Sequence, residues 1–161
     1  MLMSTHAEGD YQAVIAAPGF CLGVRCDEDE IRAIRFLALT AAVAPRNALA
    51  AEAARQLSAY LADAEYVFAL PLRAAGTPFQ RRVWQQIAAI PTHQTRSYGE
   101  VARLLHNAPR AVGQACGANP YPLVVPCHRV LASDGGLGGF ARQNGGFLLD
   151  VKRWLLAHEG C

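Results

Sequence analysis

The chain of 161 residues contains no apolar run of about 18 residues or more, which excludes a membrane-spanning helix. Its first ten residues include acidic side chains and no apolar core, so we do not expect them to form a secretory signal. Hydrophobic residues make up 52% of the chain, which is ordinary for a soluble globular protein and too much for a disordered one. We therefore expect a cytosolic protein that has no membrane partner.

Close cysteine pairs are also missing from the sequence. Five cysteines stand at positions 21, 26, 116, 127 and 161, without a C-x-x-C pair and without histidines at the spacing of a zinc site. A cytosolic chain would keep these thiols reduced. We therefore expect free cysteines, no metal site and no cofactor.

Lysine is nearly absent, since fourteen of the fifteen basic residues are arginines, and the charges are unevenly placed. Residues 1–75 carry six basic and nine acidic side chains, a balance of −3. Residues 76–161 carry nine basic and four acidic side chains, a balance of +5. This asymmetry favours contact between the C-terminal part and an anion such as nucleic acid, although an accidental imbalance on solvated faces would give the same counts.

The N-terminal part reads as short strands followed by a helix. Two apolar runs, Tyr11–Ala16 and Phe20–Arg25, are separated by Pro18-Gly19, which is a hairpin signal. The alternating segment Ile31–Leu37 predicts a half-buried third strand. The alanine-rich segment Asn47–Ala62 favours a helix.

A link over residues 70–76, with a proline and a glycine, predicts a boundary between a domain 1–75 and a domain 76–161. The second domain opens with Thr77-Pro78-Phe79-Gln80, which combines a capping box with a proline at the first helical position. A second capping box, Ser97-Tyr98-Gly99-Glu100, predicts a helix that ends near Leu105. Both segments therefore predict helix starts.

A third helix is predicted to begin at Asn107, as its N-cap, and to end at Gly117. With the preceding helix it forms a helix-turn-helix candidate whose second helix carries Arg110. Leu123–Val125 reads as a buried strand-like run, and the apolar spacing from Phe147 predicts a final helix. We therefore expect an α/β (α+β) protein, with a small sheet-and-helix domain followed by a mainly helical domain.

The segment Pro126-Cys127-His128-Arg129-Val130 is the main candidate for chemistry. A cysteine between an apolar run and a basic dipeptide can have its thiolate favoured by positive charge, although a plain buried cysteine fits the same residues. A helix that started near His128 would add the attraction of its amide dipoles. Adjacency in sequence does not make Cys127 and His128 a dyad, since side chains of neighbouring residues in an extended segment point to opposite sides.

This segment resembles the acceptor-cysteine motif of the O6-alkylguanine-DNA alkyltransferase family. The resemblance covers nearly all of residues 76–160, whereas the N-terminal third is similar only in outline. It runs through Gly76-Thr77-Pro78-Phe79-Gln80, Val83-Trp84, Ile90-Pro91, Ser97-Tyr98-Gly99, Arg110-Ala111-Val112-Gly113, Asn119-Pro120 and Trp154-Leu155-Leu156-Ala157-His158-Glu159.

The resemblance implies DNA repair by irreversible, stoichiometric transfer of a methyl or other alkyl group from O6 of guanine to Cys127. The O6 atom lies inside the duplex, so the base must be flipped out before a protein nucleophile can reach it. The implied partner is double-stranded DNA that contains O6-alkylguanine, and the implied protein is a single-turnover transferase that we expect to be a monomer. The alkyl size, and whether O4-alkylthymine is repaired, stay open.

The resemblance also implies catalytic roles. His128 would take the proton of Cys127 through a water molecule, with support from Glu159. Tyr98 would donate a proton to the departing guanine, and Asn119 would order the cysteine loop and the helix-turn-helix. The place of Glu159 gives independent support, because the macrodipole at the C-terminal end of a helix disfavours negative charge.

For DNA, the resemblance implies a helix-turn-helix in the minor groove, with Arg110 in the gap left by the flipped base. The implied DNA-contacting residues are Arg110, Tyr98, Gly99 and Ser133. The implied borders of the base pocket are Pro122, Val130 and Phe140.

The sequence departs from the family pattern in several places. Phe140 stands where many members carry a tyrosine, and the loop 141–144 after it is longer than the family's. The turn between the two DNA-binding helices is about two residues shorter, which leaves the angle of the Arg110 helix open. Thr92-His93 replaces an aromatic-glycine pair.

Three other functions compete with this interpretation. A lesion sensor similar to the alkyltransferase-like proteins would carry another residue, often tryptophan, in place of Cys127. A cysteine hydrolase built on Cys127 and His128 would turn over repeatedly, but no oxyanion motif accompanies them. A regulator that used the helix-turn-helix alone would need a dimerisation element, and the sequence offers none.

Overall fold

The computed structural model describes residues 11–137 and 146–161 of an α+β protein. The chain forms two compact units, Met1–Arg73 and Ala74–Cys161, so that the division falls within the link 70–76. Phe140 and the loop 141–144, both singled out in the sequence, lie outside the described residues.

The first unit contains an antiparallel three-stranded sheet and one helix. The strands, in the order β1-β2-β3, are Ala13–Ala17, Phe20–Cys26 and Ile31–Leu37, and the helix α1 is Ala48–Ala62. The predicted hairpin is confirmed, with Gly19 at φ +85° in the turn, although β1 begins two residues after Tyr11. Asn47 is the N-cap of α1 and accepts a hydrogen bond from Ala50 N at 2.7 Å, as its side chain predicts.

The second unit is mainly helical. Its elements are α2 Pro78–Ala88, β4 Arg96–Ser97, α3 Tyr98–Leu104, α4 Pro109–Gly117, a 3-10 turn Cys127–Arg129, β5 Val130–Leu131 and α5 Phe147–His158. Both predicted capping boxes are confirmed. Thr77 and Gln80 exchange two hydrogen bonds at the start of α2, and Ser97 and Glu100 do the same at the start of α3.

Helix α2 holds the helix-turn-helix in place. Val83 and Ile87 are fully buried, and Trp84 Nε1 donates to the carbonyl of Ala115 on α4 at 2.9 Å. Only glycine fits at position 76, because its φ is +90° and a Cβ there would lie 2.6 Å from the Trp84 ring. The apolar face of α2 therefore anchors the helix that carries Arg110.

Two sequence predictions are wrong. Asn107 does not cap α4, because Pro109 takes the first helical position and makes Ala108 the N-cap, without a side-chain cap. The carboxamide of Asn107 instead accepts the N–H of Ala108 at 2.8 Å. The run 123–125 is a turn and not a strand, since Leu123 has φ +77° and Val125 N donates to Tyr121 O.

A short parallel pairing brings distant segments of this unit together. Arg96 lies opposite Val130, and Ser97 lies opposite Leu131, in the sheet of β4 and β5. This pairing places the start of α3, with Tyr98, beside the residues that follow Cys127. No helix in residues 11–137 and 146–161 is both long and apolar enough to cross a membrane.

Candidate active site around Cys127

Cys127 opens the 3-10 turn, and only 4% of its surface is exposed. Its backbone N–H donates to Val125 O at 2.8 Å, and the N–H of Arg129 donates to Pro126 O at 2.9 Å. The helix expected near His128 is thus this single turn, which begins at the cysteine itself. So short a helix brings few aligned amide dipoles to bear on the thiol.

The carboxamide of Asn119 fastens the cysteine loop. Its Nδ2 donates to Val125 O at 2.9 Å and to Cys127 Sγ at 3.4 Å, while its Oδ1 accepts the N–H of Tyr121 at 2.9 Å. One side chain therefore fixes both ends of the turn that replaces the expected strand. Its donor also points at the sulfur, where it favours the thiolate over the thiol.

Opposing influences act on the Cys127 thiol. Contact with the Cys116 side chain, followed by burial, raises the pKa of Cys127 well above its ordinary value. The hydrogen bond from Asn119 and the positive charge of Lys152 lower that pKa in part. At rest the cysteine is therefore a protonated thiol, so a nucleophilic reaction requires a base.

His128 is the basic side chain nearest in sequence, and it is 1% exposed. Its Nε2 lies 2.7 Å from Oε2 of Glu159. Because an ionised carboxylate only accepts hydrogen bonds, Nε2 carries the proton and the lone pair of Nδ1 is left to act as a base. Burial lowers the pKa of His128, and Glu159 opposes that shift.

Glu159 is fully buried at the C-terminal end of α5, where Arg129 balances its charge and His128 donates a hydrogen bond to it. The Nε atom of Arg129 donates to Oε1 at 2.7 Å, and its Nη2 donates to Oε2 at 3.0 Å. The same guanidinium donates to Ile90 O at 2.7 Å and to Thr92 Oγ1 at 3.2 Å. The unfavourable helix-end position of Glu159 is thus offset by a charge-assisted network.

Tyr98 and Lys152 lie close to each other, with Lys152 Nζ 5.9 Å from the centre of the Tyr98 ring. Burial raises the pKa of Tyr98, and negative charge on Cys116 or Cys127 would raise it further, so its hydroxyl stays a proton donor. Lys152 is fully buried, and its Nζ donates to Val130 O at 2.9 Å and to Leu137 O at 2.7 Å. Burial lowers the pKa of Lys152 to about 8.

The residues expected to border the base or to contact DNA are distributed around this centre. Val130 is fully buried in β5, and Pro122 is half-buried in the turn that Asn119 holds. Gly99 lies beside Ser133, because a Cβ at Gly99 would come within 3.6 Å of the Ser133 hydroxyl. Arg110 is exposed in the first turn of α4, about 9 Å along the helix from Cys116 on the basis of its rise per residue.

The structure also adds residues that sequence reasoning did not assign to the site: Arg129, Lys152 and Cys116. The signal for Lys152 was available, since Leu149, Leu155 and Leu156 place position 152 on the apolar face of α5. No local pattern shows that Arg129 is buried, because its carboxylate partner is 30 residues away. The contact between Cys116 and Cys127 likewise depends on how α4 packs.

The second unit therefore combines a buried nucleophile candidate with a helix-turn-helix, which is the arrangement of a DNA-binding protein that carries its own reactive thiol. The chain belongs to the 6-O-methylguanine DNA methyltransferase family, since the model of that family's DNA binding domain matches residues 78–161.

Curated relatives carry the same assignment in their names. A methylated-DNA–protein-cysteine methyltransferase of Methanosarcina acetivorans is 45% identical over 111 residues, which is 68% of each chain. The constitutive methylated-DNA–protein-cysteine methyltransferase of Bacillus subtilis is 44% identical over 108 residues, covering 64% of this chain and 66% of the relative. The chain thus matches about two thirds of the length of these relatives.

The likeness extends to the three-dimensional fold. The crystal structure of Mycobacterium tuberculosis OGT in complex with DNA is similar with a TM-score of 0.77 and 36% identity. The similarity covers 91% of this chain and 90% of that one. It includes the small sheet-and-helix unit, which sequence comparison alone related to the family only in outline.

Proposed function

We propose that this protein repairs DNA by transferring a methyl or other alkyl group from O6 of guanine to its own Cys127, once per molecule. The observation that carries the proposal is the buried Cys127 thiol, which Asn119 holds within the part of the chain that matches the family. A Cys127 alkyl group is a stable thioether, so the acceptor would not be regenerated. The same mass measurement with a duplex that contains O4-methylthymine would decide whether that base is also repaired.

The residues support a definite order of proton movement. His128 accepts the proton of Cys127 through a bridging water molecule, because its own hydrogen bond goes to Glu159 and not to the sulfur. Glu159 stabilises the imidazolium that results, while Asn119 and Lys152 stabilise the thiolate. Both charges that the proton transfer creates are therefore stabilised by neighbouring side chains.

The thiolate then displaces guanine. A bond forms between Cys127 Sγ and the alkyl carbon, the bond from that carbon to O6 breaks, and the electron pair passes to the base. Tyr98, kept protonated by burial, donates a proton to the departing guanine. Asn119 orders the loop in which this happens.

Duplex DNA is the proposed partner of the basic second unit. The helix-turn-helix of α3 and α4 lies in the minor groove, with Gly99 and Ser133 near the backbone and Arg110 in the gap left by the flipped base. The exposed guanidinium of Arg110 is free to reach a ligand from the first turn of α4. Pro122 and Val130 border the pocket that receives the base.

The proposal also covers the domain organisation, the oligomeric state and the cellular location of the protein. The two units act as an N-terminal domain, 1–75, and a DNA-binding and acceptor domain, 76–161. The protein works as a cytosolic monomer without cofactor or metal. Gel filtration would test the monomeric state, and the DNA affinity of isolated residues 76–161 would test the domain division. Both measurements are independent of alkyl transfer.

The direct test is mass measurement of the intact protein after incubation with duplex DNA that contains O6-methylguanine. We expect a single added methyl group, located on Cys127 by peptide mapping, and an end point equal to the amount of protein. Several turnovers per molecule, or a methyl group on another residue, would overturn the proposal. Unmodified duplex of the same sequence is the matched control.

A further inference from the structure

Glu159 is held by its backbone as well as by its carboxylate. Its carbonyl oxygen is in hydrogen-bond contact with Nδ1 of His93, a residue 66 positions earlier in the chain. A carbonyl oxygen only accepts hydrogen bonds, so the Nδ1 atom of His93 carries the proton in this contact. The ring also lies against Gly160, since a Cβ there would come within 3.3 Å of the same Nδ1 atom. His93 therefore contacts the residue that orients His128, although the alkyl-transfer scheme gives it no part.

The backbone conformation of His93 is one that few side chains adopt. The N–H of Gln94 donates to Pro91 O at 3.2 Å and closes a four-residue turn in which His93 is the third residue. His93 has φ +74°, a left-handed conformation that glycine adopts without steric cost and asparagine tolerates. Such a conformation persists where the surrounding contacts hold it, and the bond from the ring to Glu159 is one such contact.

The end of α5 leaves a carbonyl for His93 to satisfy. The N–H groups of Gly160 and Cys161 donate to carbonyls of the last turn at 3.1 and 2.8 Å, and Gly160 has φ +75°. These bonds form the Schellman motif that commonly ends helices. Neither bond reaches the carbonyl of Glu159, which is among the acceptors that a helix end leaves without an intrahelical partner. The N–H of His93 supplies that partner.

The residue before His93 supports the same glutamate through its counter-ion. Thr92 Oγ1 accepts a hydrogen bond from Arg129 Nη2 at 3.2 Å, and Ile90 O accepts one from Arg129 Nη1 at 2.7 Å. Arg129 in turn donates to both carboxylate oxygens of Glu159. One short segment therefore contacts Glu159 at its carbonyl and, through Arg129, at its carboxylate.

We propose that His93 is a positioning residue, which holds the Glu159 carbonyl and thereby keeps the Glu159 carboxylate at hydrogen-bond distance from His128. This inference deepens the proposed function and rests on it, because His93 acts on Cys127 only through Glu159 and His128. Glu159 is the residue at which α5 ends, and helix ends are where fraying begins. A bond to its carbonyl restricts that motion, and misplacement of a reacting group by about 1 Å can slow a reaction greatly.

Two histidines thus bind one glutamate in opposite tautomers, and this difference can be measured. His93 donates from Nδ1, whereas His128 donates from Nε2. Long-range 1H–15N correlation spectra of the full-length protein show which ring nitrogen carries the proton. At about pH 8, where an ordinary imidazole is neutral, we expect a proton on Nδ1 of His93. The ring resonances that disappear in His93→Asn identify this residue, and an unprotonated Nδ1 would overturn the proposal.

Two substitutions separate the effect of the ring from that of the backbone conformation. His93→Gly removes the donor and suits the left-handed conformation. His93→Asn tolerates that conformation and retains an N–H donor at the same number of bonds from Cβ as Nδ1 of histidine.

The rate of iodoacetamide labelling at Cys127, located by fragmentation of the labelled peptide, measures thiolate formation. His93→Gly should slow it about three- to ten-fold, the size of one lost hydrogen bond, whereas His93→Asn should stay within about two-fold of wild type. The pH profile of His93→Gly should also move to higher pH, because Glu159 raises the pKa of His128 and a displaced carboxylate does so less. A purely structural contact would leave the profile of the folded protein in place.

His106→Gly is the matched control for these variants. His106 is also an exposed histidine with a left-handed backbone, at φ +53°, in the turn before α4. Its replacement relieves a conformation of the same kind in a different turn, and the labelling contains no DNA. Cys127 should therefore be labelled at the wild-type rate, and denaturant unfolding shows that all variants are compared as folded protein.

Two orders of labelling rate would overturn the proposal. Labelling of His93→Gly that equals or exceeds wild type would show that the ring does not help to hold Glu159. Equal losses in His93→Gly and His93→Asn would show that a donor at this position has no effect. Neither the spectra nor the labelling contains an alkylated base, so a protein that failed to accept alkyl groups would still decide this question, and the two failures are distinguishable.

Discussion

Arg129 and Glu159 form a bidentate ion pair at the end of α5, in which the carboxylate is fully buried and the guanidinium largely so. Its donor–acceptor distances are 2.7 and 3.0 Å, and His128 adds a third hydrogen bond to the same carboxylate at 2.7 Å. Glu159 therefore has two tasks, since it satisfies a largely buried guanidinium and it orients the imidazole of His128, the residue next to the proposed acceptor Cys127. Substitutions at this carboxylate affect both tasks, and their tests have to separate them.

Glu159→Gln should slow the alkylation of Cys127 by roughly a hundred-fold, the size of lost general-base assistance. Glu159 raises the pKa of His128 against the effect of burial, so its removal makes His128 a weaker base. The thiolate then forms less readily, and the apparent pKa of Cys127 rises. The measurement is the rate of reaction with O6-benzylguanine between acid and alkaline pH, where the variant profile should move to higher pH.

The same substitution should cost about 3–5 kcal/mol of folding free energy, because it leaves the charge of Arg129 buried without a counter-ion. Denaturant unfolding therefore accompanies the rate measurement. Asp150→Asn is the matched control, since it neutralises a carboxylate on the same helix that is 73% exposed and paired with Arg153. Superimposable profiles for folded Glu159→Gln and wild type would make Glu159 purely structural.

The elements around this network were predictable where the signal is local. The capping boxes at Thr77 and Ser97 are such signals, because their partners lie three residues away. Asn107 shows the limit of this reasoning. Both Asn107 and the proline at position 109 fit a helix start, and because the proline occupies the first helical position, Ala108 is the N-cap. The apolar content of residues 123–125 wrongly predicted a strand. These residues form a turn, because the carboxamide of Asn119 is hydrogen-bonded to the backbone on both sides of them.

The chemistry was only partly predictable for a related reason. Cys127, His128 and Glu159 were found through motifs, but the hydrogen bond between His128 and Glu159 joins residues 31 positions apart. Burial of a charge depends on such distant partners, and composition does not record them. Lys152, the single lysine of the chain, differs in that its place on an apolar helix face is a local signal, although its carbonyl partners are distant.

Replacement of the acceptor should separate binding from transfer. Cys127→Ser and Cys127→Ala should abolish alkyl transfer, because neither side chain offers a thiolate. DNA affinity should stay within a few-fold of wild type, since the buried thiol makes no phosphate contact. Affinity of all three proteins should fall as salt rises, because phosphate contacts release counterions.

The measurement is binding to a duplex with O6-methylguanine at several salt concentrations, together with the mass of the protein after incubation. Cys26→Ala, at a buried cysteine of the first unit, is the matched control and should retain full transfer. Residual methylation of Cys127→Ala would show that another residue accepts the group.

Arg110→Ala should slow repair in duplex DNA far more than reaction with free O6-benzylguanine, because only the duplex requires a flipped base. The exposed guanidinium lies in α4 and does not contribute to the charge network of Glu159. Single-turnover rates on both substrates provide the comparison. Arg55→Ala removes the same charge from the surface of α1 and should leave both rates unchanged.

Equal losses on both substrates would show that Arg110 acts on the reactive centre and not on the DNA. A loss for Arg55→Ala of the same size as that for Arg110→Ala would indicate a general effect of net charge.

Substitutions of Asn119 should reveal how strongly its amide favours the thiolate. Asn119→Ala removes the donor 3.4 Å from Cys127 Sγ, and loss of a hydrogen bond to a charged group is worth about 1.5–3 kcal/mol. The rate with O6-benzylguanine at neutral pH should therefore fall about 10- to 100-fold. Asn119→Asp preserves the shape and the acceptor for Tyr121 but puts negative charge beside the sulfur.

The order of these variants decides the role of the residue. If the amide acts on the thiolate, Asn119→Asp should raise the apparent pKa of Cys127 more than Asn119→Ala does. If it acts only by shaping the loop, the near-isosteric Asn119→Asp should be the milder change. The pH dependence of iodoacetamide labelling measures the difference.

Lys152 gives the prediction with the most specific pH signature. Its positive charge lowers the pKa of Cys127, and burial brings the pKa of Lys152 itself to about 8. Below pH 8 the ammonium group is charged and stabilises the thiolate, whereas above pH 8 it loses its proton and that stabilisation disappears. Lys152→Met should therefore slow alkylation of Cys127 most below pH 8, and the ratio of wild-type to variant rates should decline toward pH 10.

Because Met also leaves the carbonyls of Val130 and Leu137 without their donor, Lys152→Arg is the matched control that retains a charge, and unfolding is measured for both. A rate ratio that stays constant across this pH range, in folded protein, would mean that Lys152 holds the loop and contributes no charge to the reaction.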